Sequence, residues 1–89
     1  MSYRIEISHS ARQEIRALPA YVRAQALRLI DELAGNPRPA RAKELQERQY
    51  IFRIWLAGRW RMVYAVDDEL LLVLIIRVRR KEDIDYPSL

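Results

Sequence analysis

Apolar and polar side chains alternate from Tyr3 to Ser8, with Tyr3, Ile5 and Ile7 on one side and Arg4, Glu6 and Ser8 on the other. That period of two predicts a half-buried strand. Ser10, with Gln13 three residues later, has the form of a capping box that opens a first helix. Ala11, Ile15 and Leu18 would be its buried stripe. Pro19 ends that helix and suits the first turn of another. Val22, Ala26, Leu29, Ile30 and Leu33 then recur at helical spacing and form the clearest amphipathic stripe in the chain. Gly35 is the expected C-cap, and Asn36-Pro37 blocks continuation. Arg38 to Arg48 reads as a polar, basic connector.

From Tyr50 the period changes to two. Phe52, Ile54 and Leu56 alternate with Arg53 and Trp55, Ala57-Gly58 makes a turn, and Trp60 to Val66 runs back. Asp67-Asp68-Glu69 is the next turn. Leu70 to Val78 follows as a strand apolar on both faces, which predicts a central position in the sheet. The expected fold class is α+β: two N-terminal helices packed on one face of a small, mostly antiparallel four-stranded sheet, in the order β-α-α-β-β-β. Neither a repeat nor an internal linker interrupts the pattern, so residues 1–89 read as a single domain.

Composition narrows the chemistry. The 89 residues are 51% hydrophobic and 31% charged, with only 2 Gly, which is the composition of a folded chain. With no cysteine, thiolate catalysis, a disulfide framework and Cys-ligated zinc are excluded. A single histidine, His9, excludes an all-histidine metal site within one chain and is expected to be a surface residue near the first helix start. No metal and no cofactor are expected. The sequence opens on charged residues rather than an apolar signal segment, and its longest apolar run, Leu70 to Ile76, is too short to span a bilayer. A soluble, cytoplasmic protein with no membrane partner is the expectation.

The formal net charge is +4, which points toward anionic partners without identifying one. Placement says more. Arg53 and Arg61 stand on successive strands that a hairpin near Gly58 would bring together. Arg77, Arg79, Arg80 and Lys81 lie where the last strand runs out. Like charges repel when gathered on one end of a sheet, and a phosphate between them removes the conflict. Two plainer readings stand beside this one. Arg77 can pair with Glu6 or Asp67, and Arg79 to Lys81 can be a solvated terminus beside Glu82, Asp83 and Asp85. Among the aromatics, Trp60, Met62 and Tyr64 share a core face. Trp55 shares the Arg53 face and is the candidate stacking surface or partner contact.

RNA can be cut without metal when its own 2′-hydroxyl attacks the adjacent phosphorus. Such a site needs a proton acceptor, a proton donor and positive charge on the phosphorane.

Taken in order, Pro19, the run Leu33-Ala34-Gly35-Asn36-Pro37-Arg38-Pro39, and Ala42-Lys43-Glu44-Leu45 resemble the helix and connector of the RelE/ParE toxin superfamily. The stretch Tyr50 to Tyr64, with Phe52-Arg53-Ile54 and Gly58-Arg59-Trp60-Arg61-Met62-Val63-Tyr64, resembles its central hairpin. Val78-Arg79-Arg80-Lys81 and Tyr86 resemble its closing strand and tail. The resemblance spans nearly the whole chain. It implies a toxin of a type II toxin–antitoxin system that inhibits translation by cleaving mRNA at the ribosome. Its partners would be the ribosome, mRNA and a cognate antitoxin protein, and no small-molecule cofactor is implied. By resemblance the catalytic set is Arg53, Arg61, Arg80, Lys81 and Tyr86. Arg61 would hold the scissile phosphate, Arg80 or Lys81 would stabilise the phosphorane, and Tyr86 would stack on a base or assist proton transfer. Arg59, Arg77, Arg79 and Trp55 are the expected further RNA contacts. The chain departs from the RelE pattern at Trp55, where a second basic residue is usual, and in the spacing of Tyr86. ParE-like relatives inhibit DNA gyrase and need no nuclease site, and a catalytically weak toxin that still binds its antitoxin is a further alternative.

Overall fold

In the computed structural model, which describes residues 2–89, the first alternating segment is β1 (Arg4–Ile7). It leads directly into α1 (His9–Ala17) and α2 (Ala20–Gly35). The chain then forms β2 (Lys43–Leu45), β3 (Arg48–Leu56), β4 (Trp60–Asp67) and β5 (Leu72–Arg80). Two short 3-10 turns, Lys81–Asp83 and Tyr86–Ser88, close it. The sheet order is β1-β5-β4-β3-β2; β1 runs parallel to β5, and the other neighbours are antiparallel. The α+β class and the element order are as expected, with five strands instead of four.

The extra strand is β2, inside the expected connector. Three residues with one apolar member carry no readable period, and the strand exists because its backbone pairs with β3, setting Lys43 opposite Arg53. The expected centre also moves. β4, not β5, is the middle strand and is buried on both faces from Trp60 to Tyr64. β5 buries Val73, Ile75 and Val78 under the helices, whereas Leu72, Leu74 and Ile76 are only half covered.

Helix boundaries differ from expectation by small, explicable amounts. The α1 N-cap is Ser8, not Ser10. Its extended backbone ends β1, its Oγ accepts from the Ala11 N–H at 3.1 Å, and its hydroxyl donates to the Ile76 carbonyl at 3.0 Å. One side chain thus caps the helix and ties it to β5. Gly35 is the last residue of α2, and Asn36 is its C-cap. Both helices lay their stripes on one sheet face. There Ala11, Ile15, Val22, Ala26, Leu29 and Leu33 meet Phe52, Ile54, Met62, Tyr64, Val73 and Val78. Burying a side chain such as Leu33 contributes about 1.5–3 kcal/mol. The hairpin between β3 and β4 turns at Ala57 and Gly58, both at positive φ (50° and 78°), the conformation glycine adopts without strain. None of the described helices is long and apolar enough to cross a membrane.

Candidate nucleic-acid interface

With the helices on one face, every second residue of β3, β4 and β5 points to the other. Residues directly opposite one another share a face, so register alone places the cations. Lys43, Arg53, Val63 and Arg77 form one row across four strands. Trp55, Arg61 and Arg79 form the next. Neither row contains a carboxylate. The convergence of Arg53 and Arg61 expected from the hairpin is therefore present, as diagonal neighbours on the open face. Arg59 sits at the hairpin tip, where its carbonyl accepts from the Lys81 N–H at 3.0 Å and so holds the start of the tail.

Arg61 is the centre of this arrangement. It is 6% exposed, the one charged residue among the buried ones described. Its guanidinium carbon lies over the Trp55 ring at 4.1 Å, and one of its terminal nitrogens donates to the Tyr86 hydroxyl at 2.7 Å. Its Nε has no hydrogen-bond partner. The Lys81 ammonium stands 5.8 Å from the same Trp55 ring. Among the described residues, Arg53, Arg59, Arg61, Arg77, Arg80 and Lys81 form no ion pair within 4.0 Å. Removing a cation from water without a carboxylate costs several kcal/mol. A cation–π contact and one neutral hydrogen bond return only part of that. Among the described residues, no carboxylate offsets that cost at Arg61.

Beside it, the tail covers part of the open face. The Arg48 guanidinium donates to the Pro87 carbonyl at 3.2 Å. A cleft of 440 Å³ runs between the β2–β3 connection and the tail, lined by Lys43, Glu47, Arg48, Arg53, Tyr86 and Pro87 among others. Arg53 and Tyr86 thus face one concavity, and Tyr86 links it to Arg61.

Two expected members stand apart. Arg80 pairs with Trp60, so it belongs to the helix-bearing face, and its guanidinium lies 5.5 Å over the Trp60 ring. Of the pair Arg80 and Lys81, only Lys81 approaches Trp55. Arg79 is on the open face but is committed elsewhere: its Nε contacts the Glu14 carboxylate and another nitrogen donates to the Asp83 carbonyl at 3.3 Å. Arg79 is thus paired, but with Glu14 of α1 rather than with the carboxylates of the tail. Arg77 pairs with neither Glu6 nor Asp67; its guanidinium reaches only the Ile76 carbonyl, at 3.4 Å. Trp60, Met62 and Tyr64 are core, as expected, and Trp55 is 48% exposed.

Sequence reading missed Lys43, Arg48 and Glu14. Lys43 joins the basic row only through the unexpected β2. Arg48 was placed in the connector but opens β3. Glu14 works because β5 outlasts β1: the Val78 N–H has no strand partner there and donates to the Glu14 carboxylate at 2.9 Å. A carboxylate on the inner side of α1 was the available signal.

The fold and this face define a small basic α+β protein with a cluster of cations on the side of its sheet away from the helices. The family model described as the ParE toxin of the type II toxin–antitoxin system parDE matches residues 5–84. The chain belongs to that family, within the RelE/ParE superfamily of type II toxins. Among solved structures, a mutant of the E. coli toxin RelE in the free state is 29% identical, with a TM-score of 0.84 over 99% of this chain and 93% of that one. The toxin–antitoxin complex RelBE of E. coli is matched at 30% identity and a TM-score of 0.79, over 89% and 96% of the two chains. The RelBE2 complex of Mycobacterium tuberculosis is matched at 26% identity and 0.75, over 91% and 100%. A comparison with curated proteins finds no match.

Proposed function

We propose that this toxin is a metal-independent endoribonuclease of the RelE kind, cutting mRNA on the ribosome and thereby inhibiting translation in the cytoplasm. One observation carries the reading: Arg61 is buried, has no carboxylate partner, and keeps an unbonded Nε beneath an exposed aromatic and a tail tyrosine. A toxin that acts only by protein contact has no need of a buried, uncompensated cation.

In this reading the scissile phosphate supplies the anion that Arg61 lacks. The 2′-hydroxyl loses its proton to solvent water as its oxygen bonds to phosphorus, the bond from phosphorus to the 5′-oxygen breaks, and that oxygen leaves with a proton, giving a 2′,3′-cyclic phosphate and a free 5′-hydroxyl. Because the Tyr86 hydroxyl accepts from Arg61, its own proton remains available, and Tyr86 is the group we assign to proton donation. Lys81 and Arg53 add positive charge around the phosphorane. Lys43, Arg59 and Arg77 hold flanking phosphates. Arg80 and Arg79, given their placement, contribute less. The matched RelBE structures pair a toxin with its antitoxin, and a cognate antitoxin is the partner we assign to this chain too. A segment that folds on binding suits so basic a face.

The family model's description as a ParE toxin favours a second reading, inhibition of DNA gyrase without catalysis. Mapping the 5′ ends of cellular mRNA after induction separates the two. Cuts inside translated regions, lost with Arg61→Ala while the antitoxin still binds, support the endonuclease. Intact transcripts together with inhibited supercoiling by the purified toxin would overturn it.

A further inference from the structure

Trp55 is exposed and stands between the buried Arg61 and the solvent-facing Lys81. About half of this large ring's burial is forgone in such a position. Its neighbour Arg61 lies at 4.1 Å over the ring, close enough to fix the indole in place, while 48% of the residue stays open. Lys81 keeps a looser 5.8 Å. Arg53 shares the same face, one register step away. The surface therefore offers a flat π-face joined directly to a buried cation that no carboxylate answers. A complementary ligand carries a flat ring beside an anion, and a nucleotide has both parts covalently joined.

Resting on the endonuclease reading, we infer that Trp55 is the base platform of the site: one nucleobase next to the scissile phosphate stacks on the indole while its phosphate reaches Arg61. Trp55 then sets which base is preferred at that position, because stacking strength differs among bases whereas phosphate contacts do not read sequence.

The test is a cycle of base removal against ring removal. Ribosomes are programmed with mRNAs whose A-site codon carries an abasic sugar at each position in turn, and single-turnover cleavage is timed for wild type and Trp55→Ala. Stacking of one base predicts a loss of about 10- to 100-fold from either change alone at one codon position. The two changes together should cost no more than one, because they delete the same contact. Trp55→Phe should retain most of the rate. Trp55→Leu, apolar but without a π-face, repeats the cycle if circular dichroism shows the alanine variant unfolded. Losses that multiply at every codon position would show that Trp55 only steadies Arg61, and would overturn the inference. Wild-type toxin that cleaves no programmed codon would overturn the endonuclease reading itself and this inference with it.

Discussion

The Arg61 guanidinium donates to the Tyr86 hydroxyl at 2.7 Å, across 25 residues of sequence and from a central strand to the tail. No carboxylate answers the buried charge, so fold and site pull in opposite directions at this position. The sheet tolerates Arg61 because β4 is otherwise almost wholly apolar and is flanked on both sides along its length. A strand in that position can carry one unfavourable group without losing its place.

That conflict predicts a gain in stability on loss of function. In Arg61→Met, a side chain of similar length replaces the cation and removes its desolvation cost. The variant should be non-toxic on expression yet melt at the same temperature as wild type or higher, by about 4–8 °C for each kcal/mol recovered in a domain of this size. Calorimetry alongside a growth assay checks both halves. A melting temperature well below wild type would mean that the guanidinium supports the fold.

Tyr86 separates proton transfer from position. Tyr86→Phe keeps the ring in the tail and removes only the hydroxyl, leaving Arg61 with one partner fewer. Cleavage should slow by about 10²–10⁴-fold, the usual contribution of a positioned acid or base, with ribosome affinity little changed. Equal loss of affinity and rate would reassign Tyr86 to binding alone.

At the opposite end of the sheet, Asp68 draws three separate segments together. It accepts from the Tyr3 hydroxyl at 2.6 Å and from both terminal nitrogens of Arg38, at 3.1 and 2.8 Å. Hydrogen bonding first by Arg38 and then by Tyr3 holds its carboxyl below the ordinary value. A depressed acid pKa stabilises the fold above the unfolded value and loses that contribution as pH falls through the folded one. Urea midpoints for wild type and Asp68→Asn should therefore differ at pH 7 and converge as pH drops below about 4. A difference that persists undiminished at pH 2 would show the contact to be non-ionic.

Tyr64 marks the alkaline limit. Its hydroxyl donates to the Pro37 carbonyl at 2.8 Å, and burial pushes its pKa up to about 12. An acid held neutral contributes fully below its unfolded value, about 10, and loses that contribution as pH rises through the folded one. Ultraviolet titration should show one tyrosine ionising only near pH 12, and Tyr64→Phe should remove that step. Ionisation of every tyrosine near pH 10 in the folded protein would contradict the buried geometry.

Most of the architecture is readable in the chain because period and punctuation agree. The stripes of α1 and α2, the Ala57-Gly58 turn and the core face of Trp60, Met62 and Tyr64 all follow from spacing. What spacing does not carry is pairing between distant segments. β2 has no pattern of its own and appears only opposite Arg53. β5 takes its inner place from β1, which pairs with it in parallel across the whole intervening chain. The candidate site divides along the same line. Arg53, Arg61 and Trp55 fall on one face by alternation within a hairpin. Arg80 and Lys81 are adjacent, and only the end of β5 at Arg80 decides that the first lies over Trp60 and the second over Trp55.

Glu14 shows how a helix can finish a sheet. Its carboxylate accepts from the Val78 N–H at 2.9 Å and from Arg79, beyond the last residue of β1. The side chain supplies the acceptor that a longer β1 would have provided, and it engages the Arg79 guanidinium. Glu14→Ala should leave the Val78 amide without a partner and the Arg79 guanidinium with only the Asp83 carbonyl, at a cost of about 1–3 kcal/mol. Hydrogen exchange should speed up at Val78 while the β3–β4 hairpin stays protected. Glu14→Gln, which retains an acceptor but loses the charge, should recover the Val78 protection and only part of the stability. An alanine variant with unchanged exchange at Val78 would mean that solvent already satisfies that edge.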